Sequence, residues 1–211
     1  MTGADIPIPE CQLAVHQPTI KEIGMIGEND FNVGAQLLCI DKEAFEDIEG
    51  EITNFNLLMM VFNEKEAADK KQTVKTILSL VLPNYQIIFT PRSILCNKGD
   101  ENLIIDEENF ESLQKVLRKI FCIGKKKESE DDIPETYNPV NEKARQIAEK
   151  LYKGRKKLAD LRATANPDDS LFSRYLSILS VGLNSMTIED LKNLTVFQIT
   201  DLFERFTLKV A

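Results

Sequence analysis

The stretch "KKKESEDDIPETYNPVN", residues 125–141, constrains the fold of this chain more than any other. A lysine triplet runs into an acidic run and then two prolines, with only Ile133, Tyr137 and Val140 as sizeable apolar side chains. Such a composition cannot bury enough apolar surface to offset the entropy of ordering it. Pro134 and Pro139 also interrupt any continuous helix. Two folded parts are therefore expected, residues 1–124 and 141–211, joined by a charged, proline-containing linker over 125–140. Charge divides at the same place. Up to Gly124 there are 11 basic and 20 acidic residues, net −9, and from Lys125 onward 15 basic and 14 acidic, net +1.

Hydrophobic periodicity assigns mixed α and β structure to the first part. "PIPECQLAVHQPTIKE" opens extended between prolines. Thr19 and Glu22 have capping-box spacing, which starts a helix at Ile20. "GENDFNVGAQLLCI" continues as a short helix weakened by its glycines, and "EITNFNLLMMVFN" is apolar enough for a buried one. In "KKQTVKTILSLVLPN" Val74, Ile77, Leu78, Val81 and Leu82 share a helical face that stops at Pro83. The period then changes. "YQIIFTPRSILCNKGDENLIID" gives two or three short strands broken at Pro91 and at Lys98-Gly99-Asp100, hence a small sheet or hairpin. "DEENFESLQKVLRKIF" returns to helix, acidic at its start and basic at its end, with Phe110, Leu113, Val116, Leu117, Ile120 and Phe121 as its buried stripe.

The second part reads as all-helical. "NEKARQIAEKLYKGRKKLADLRA" spaces Ala144, Ile147, Leu151, Gly154, Leu158 and Leu161 as a short heptad-like seam. "SLFSRYLSILSVGL" is densely apolar. A last helix starts at Thr195, with Gln198 in the capping-box position and Val196, Ile199, Leu202, Phe203 and Phe206 as its stripe. The fold class expected is thus an α+β N-terminal domain with a small sheet, joined by an acidic linker to an all-α C-terminal domain.

Candidate chemistry is sparse. His16 is the one histidine and the one side chain with an ordinary pKa suited to general-base work. It lies in a proline-bounded segment with no motif around it, so packing or surface exposure is its expected role. Cys11, Cys39, Cys96 and Cys122 are scattered, without the paired spacing of a zinc site, and are expected to be reduced and mostly buried. The carboxylates at 106–109 and 128–132 lack the spaced ligands and turn glycine of a calcium loop. Neither nucleotide-binding glycine motif is present. No catalytic, cofactor-binding or metal-binding residue is assigned, and an enzyme is not expected.

No run of about 18 apolar residues suggests a membrane span. "MTGADIPIPE" lacks the basic and apolar regions of a secretory signal, so a cytosolic location is expected. The stretch 143–162 carries eight basic and two acidic residues, net +6. It could bind phosphates, but it has one aromatic residue and an acidic neighbour. A solvated face or a surface for an acidic protein fits it better. The C-terminal apolar segment would form only a small core, and small cores are marginal alone. Another chain could complete it, or it could be a self-contained bundle.

Two stretches carry a resemblance. "NPVNEKARQIAEK" fits the pattern N-P-x-x-x-x-A-x-x-I-A-x-K through Asn138, Pro139, Ala144, Ile147, Ala148 and Lys150. "YLSILSVGL" and "LTVFQITDLFERF" then follow, with Tyr175, Gly182, Gln198, Asp201 and Phe206 among the matching positions. Together they resemble the C-terminal half of tail assembly chaperones of tailed bacteriophages. "IKEIGMIGENDFNVGAQLLCI", "FNLLMMVF" and "IIFTPRSILCNKGDENLIIDEENFESLQKVLRKIF" are similar to that family in their order of elements. The family is similar in turn to baseplate-hub assembly proteins of contractile-tailed phages. The relatives extend past the E-R-[FY] helix with a Trp-Asp tail, whereas this chain ends at "TLKVA" and has no Trp.

The resemblance implies a protein of the host cytoplasm that binds the tape-measure protein and promotes assembly of the tail-tube protein around it. It names Leu176, Leu179, Leu183, Ile199, Phe203 and Phe206 as partner-binding residues. They are equally the residues expected in a core. A permanent structural subunit of a tail or baseplate, with self-association, and a nucleic-acid-binding regulator using 143–162 are the competing readings.

Overall fold

The computed structural model describes residues 3–44, 52–64, 67–124 and 170–210. The chain divides into two compact units, Met1–Ile123 and Gly124–Ala211. The linker expected over 125–140 and the basic heptad-like stretch 143–162 lie outside the described residues. Among those that are described the fold is mixed α+β, with small antiparallel sheets and eight α-helices.

Unit one opens on a two-stranded ribbon, β1 (Ile6–Ile8) and β2 (Leu13–Val15), paired Ile6↔Val15 and Ile8↔Leu13. A 3-10 turn at Pro9–Cys11 joins them, and Gln12 takes a left-handed φ of 54°. Ile8, Leu13 and Val15 alternate with exposed Pro7 and Ala14, the period-2 pattern of a half-buried strand. α1 (Ile20–Ile26) begins at the expected box: Glu22 N donates to Thr19 Oγ1 at 3.2 Å and Thr19 N donates to Glu22 Oε2 at 2.8 Å. Gly27, at φ 91°, ends α1 and starts α2 (Glu28–Leu38), so the direction changes at a residue without a Cβ.

α3 (Asn54–Asn63) is capped by Thr53 and buries Phe55, Leu58 and Phe62, as its apolar composition predicts. α4 (Ala68–Val81) buries the predicted face. Val74, Ile77, Leu78, Val81 and Leu82 are wholly inaccessible. α4 lies against α2, where Gly34 leaves room for Ile77 and Thr73. At the end of α4, His16 N donates to Val81 O at 2.8 Å and ties the ribbon to it.

Three antiparallel strands follow in the order β3 (Gln86–Phe89), β4 (Ile94–Lys98), β5 (Glu101–Ile105). The turns fall at Pro91 and at Gly99-Asp100, as read from the sequence. The inner face buries Ile87, Ile94, Cys96 and Ile105, with Phe89 set edge-on to Phe62 at 5.0 Å.

α5 (Phe110–Ile120) closes the core. It starts four residues later than the acidic run suggests, so Asp106, Glu107 and Glu108 precede it rather than occupying its first turn. Phe110 packs on Phe55 at 5.3 Å, and Phe121, just past the helix, meets Phe31 edge-on at 5.1 Å. Val116 is half-buried, and Gln114 takes the buried place beside Leu113 and Leu117.

In unit two the described residues form α6 (Leu171–Gly182), α7 (Ile188–Lys192) and α8 (Val196–Val210). Thr195 caps α8, with Gln198 in the box position as expected. Its N–H donates to Gln198 Oε1 at 2.9 Å, and Gln198 N donates to Thr195 Oγ1 at 3.3 Å. α7 has a box of its own from Thr187 and Asp190. No helix among the described residues is long and apolar enough to cross a membrane.

Candidate functional site

The six apolar residues assigned to partner binding separate into two groups. Leu179, Ile199 and Phe203 are fully buried. They lie on α6 and α8, where the Tyr175 ring stacks on Phe203 with centroids 4.1 Å apart and planes 18° from parallel. Leu176, Leu183 and Phe206 are only half-buried.

Phe206 owes its position to Gly182. A Cβ at Gly182 would overlap Phe206 Cζ and Cε2, so the ring lies directly on the glycine backbone at the end of α6. Next to it Val181 is 80% exposed, and Ile188, at the start of α7, is 48% exposed. Leu202, one turn before Phe206 on the same face of α8, is half-buried. The two helices thus share a small buried stack and carry partly exposed apolar side chains beyond it.

His16 sits between two carboxylates. Its Nδ1 is 3.2 Å from Asp5 Oδ1 and its Nε2 is 3.3 Å from Glu22 Oε1. Neither nitrogen faces a hydroxyl or thiol, so the ring has no nucleophile to activate in this arrangement. Burial pushes the Glu22 carboxyl up, but donation from the Thr19 N–H and hydroxyl and the nearby His16 ring outweigh it and hold the carboxyl below its usual value. Asp5 and His16 fasten the start of the chain beside the cap of α1.

The buried thiols are equally quiet. Burial raises Cys11 to about 11, with the Glu10 carboxylate adding to the shift. Burial likewise lifts Cys39 and Cys96 to about 12. Thiols so poorly ionised are weak nucleophiles near neutral pH. Cys122 is the exposed one. No group of three potential metal ligands occurs among the described residues.

Two features escaped the sequence reading. The first is a polar network at the end of α2. Gln114 Nε2 donates to Leu38 O at 3.1 Å and Ile40 O at 2.8 Å, and its Oε1 accepts from Asn54 Nδ2 at 2.9 Å. Arg118 donates to Cys39 O at 2.9 Å and pairs with Asp41 at 3.1 Å. These two side chains of α5 satisfy carbonyls that a helix end leaves open. Hydrophobic periodicity is blind to such a glutamine, because it scores Gln as surface.

The second is the outer face of the three-stranded sheet. Ile88, Leu95 and Ile104 are direct cross-strand neighbours there, in the register Ile88↔Leu95↔Ile104. A signal for it exists in the sequence. Each strand contains adjacent apolar residues, Ile87-Ile88, Ile94-Leu95 and Leu103-Ile104, and alternation forces one of each pair outward.

Compared with protein-family models, curated proteins and solved structures, the chain matches none of them.

Proposed function

We propose that the chain is a tail assembly chaperone of a tailed phage, acting without enzymatic chemistry in the host cytoplasm. In this reading it binds a tape-measure protein and promotes assembly of the tail-tube protein around it. The finer architecture proposed with it is an all-α C-terminal domain reached through an acidic linker. One observation supports it most. Gly182 and Phe206 belong to the two C-terminal segments that resemble the family, and the structure seats one on the other with Val181 exposed beside them.

A tape measure is a long helical chain, and its apolar stripes aggregate when unshielded. Partly exposed apolar side chains on two packed helices can receive such a stripe by the helix-in-groove mode. Leu176, Leu183 and Phe206, with Val181 and Leu202, are the residues proposed to touch the partner. Leu179, Ile199 and Phe203 support them from beneath.

The test is co-expression with the other late proteins of the same genome, followed by affinity capture. A very long helical protein, insoluble when made alone, should be recovered with the wild-type chain and lost with Val181→Asp or Leu202→Asp. Co-elution of the chain with purified particles, and no such partner, would establish the structural-subunit reading instead.

A further inference from the structure

The phase of the β3–β4–β5 ladder fixes which backbone groups the sheet leaves open. Thr90 N donates to Ser93 O at 2.9 Å across the first turn. Bonded pairs in an antiparallel ladder recur at every second residue, so Ile88 and Gln86 exchange bonds with Leu95 and Asn97 of β4. Ile87 and Phe89 therefore turn their N–H and C=O groups away from β4, toward the edge of the sheet. Among the described residues no bond from another element reaches any of these four groups.

The opposite edge is closed. On β5 the outward groups belong to Asn102 and Ile104, by the same alternation about the Lys98↔Glu101 pair. Asn109 Nδ2 donates to Ile104 O at 2.8 Å, and its Oδ1 accepts from Asp106 N at 3.1 Å. A second copy added there about Leu103 would also set Asp100 opposite the other copy's Asp106, and like charges directly opposite are destabilising.

β3 differs in both respects. From Tyr85 to Thr90 it has no charged side chain, and Gln86–Phe89 has no lysine, proline or bulge to protect the edge. The edge is also self-complementary. An antiparallel pairing of Ile87 with Phe89 of a second copy is centred on Ile88 and forms two bonds in each of its two bonded pairs. It sets Ile88 against Ile88, Gln86 against Thr90, and Arg92 against Asn84, so no like charges meet. Ile88 is 38% exposed and aligned with Leu95 and Ile104, so the pairing would join the two apolar rows end to end.

Strand addition draws its affinity from main-chain bonds more than from area. So short an edge makes a weak, reversible pair, in the class that buries less than about 1,200 Å². We propose that two copies of this chain associate through β3, edge to edge and antiparallel about Ile88, to form one continuous sheet.

The test is sedimentation velocity of the full chain over a range of concentration, with amide exchange on the ¹⁵N-labelled protein. Mass should rise with concentration, and the Ile87 and Phe89 amides should exchange more slowly as it does. Ile88→Lys and Ile88→Glu should each weaken association by about tenfold or more, because each sets a charge against its own copy. An equimolar mixture of the two should associate again, which unfolded variants could not do. Ile104→Lys, on the outer face of β5, should associate as wild type does. A mass that stays monomeric throughout, indifference to Ile88→Lys, or a mixture no better than its components would each overturn the proposal. So would an equal loss in Ile104→Lys, which would move the contact from the edge of the sheet to its face. The proposed function rests on unit two, so failure here leaves it standing.

Discussion

Gly34→Ala tests the packing of α2 on α4 directly. Alanine forms helix better than glycine by about 1 kcal/mol, so in an open helix interior this change stabilises. At Gly34 it should do the reverse. A Cβ there would overlap Ile77 Cγ1 and sit 3.2 Å from Thr73 Cγ2 and 3.3 Å from Thr73 O. Ile77 is wholly inaccessible and Thr73 O is backbone, so neither can move aside without disturbing the core. Overpacking of this kind costs about 1–3 kcal/mol. Less the gain in propensity, a net loss of up to about 2 kcal/mol is expected.

Gly24→Ala is the internal control. Gly24 is an exposed residue of α1 with nothing within 4 Å of a Cβ, so the same chemistry should stabilise by about 0.5–1 kcal/mol. The assay is native-state amide exchange of α2 and α4, which reports this unit without assuming that the whole chain unfolds in one step. Slow-exchanging amides there should lose roughly tenfold protection in Gly34→Ala. Adding Ile77→Ala should cost less than the sum of the two single changes, because it removes the atom in collision. If Gly34→Ala is as protected as wild type, the close approach of α2 and α4 is wrong.

Cys122 stands at φ 55° where α5 ends, with Ile123 N donating to Arg118 O at 2.9 Å and Cys122 N to Lys119 O at 3.3 Å. This is a Schellman end without its usual glycine, so Cys122→Gly should raise the urea midpoint by the equivalent of about 1 kcal/mol. Gln114→Leu keeps volume but leaves Leu38 O and Asn54 Nδ2 without their partner and Ile40 O with only the longer bond from Arg118 at 3.4 Å. A loss of about 2–4 kcal/mol is expected, seen as faster exchange at the end of α2. Glu22 has its folded pKa lowered, so its contribution is fully present above the unfolded value of about 4.3 and lost as pH falls through the lowered one. Wild type should exceed Glu22→Gln by up to about 1 kcal/mol at neutral pH, a figure limited by the exposure of the carboxylate. The two urea midpoints should converge in acid.

Local chemistry was legible wherever one residue meets another nearby in sequence. The Thr19–Glu22 box, the Pro83 stop, the turn at Gly99-Asp100 and the face from Val74 to Leu82 each depend on spacing alone, and each stands where spacing puts it. What sequence left open depends on distant partners. Gln114 is buried because carbonyls at Leu38 and Ile40, more than 70 residues earlier, need its amide. The Schellman end at Cys122 was hidden because its αL position is not filled by glycine, and the nearest glycine, Gly124, lies two residues beyond.

The same distinction bears on function. Leu179 and Leu183 are both apolar and four residues apart, and no periodicity argument separates them. The fold does so, burying Leu179 completely and leaving Leu183 half-exposed. Gly182 is the more telling residue. Read along the chain it only weakens the end of α6. In the fold it is the floor on which Phe206 rests, so a side chain at 182 would displace an aromatic ring that a partner helix could use. For the proposed helix-in-groove contact, substitution at Gly182 therefore discriminates better between binding and mere stability than changes at Leu179 or Phe203, whose loss would unfold the surface together with its support.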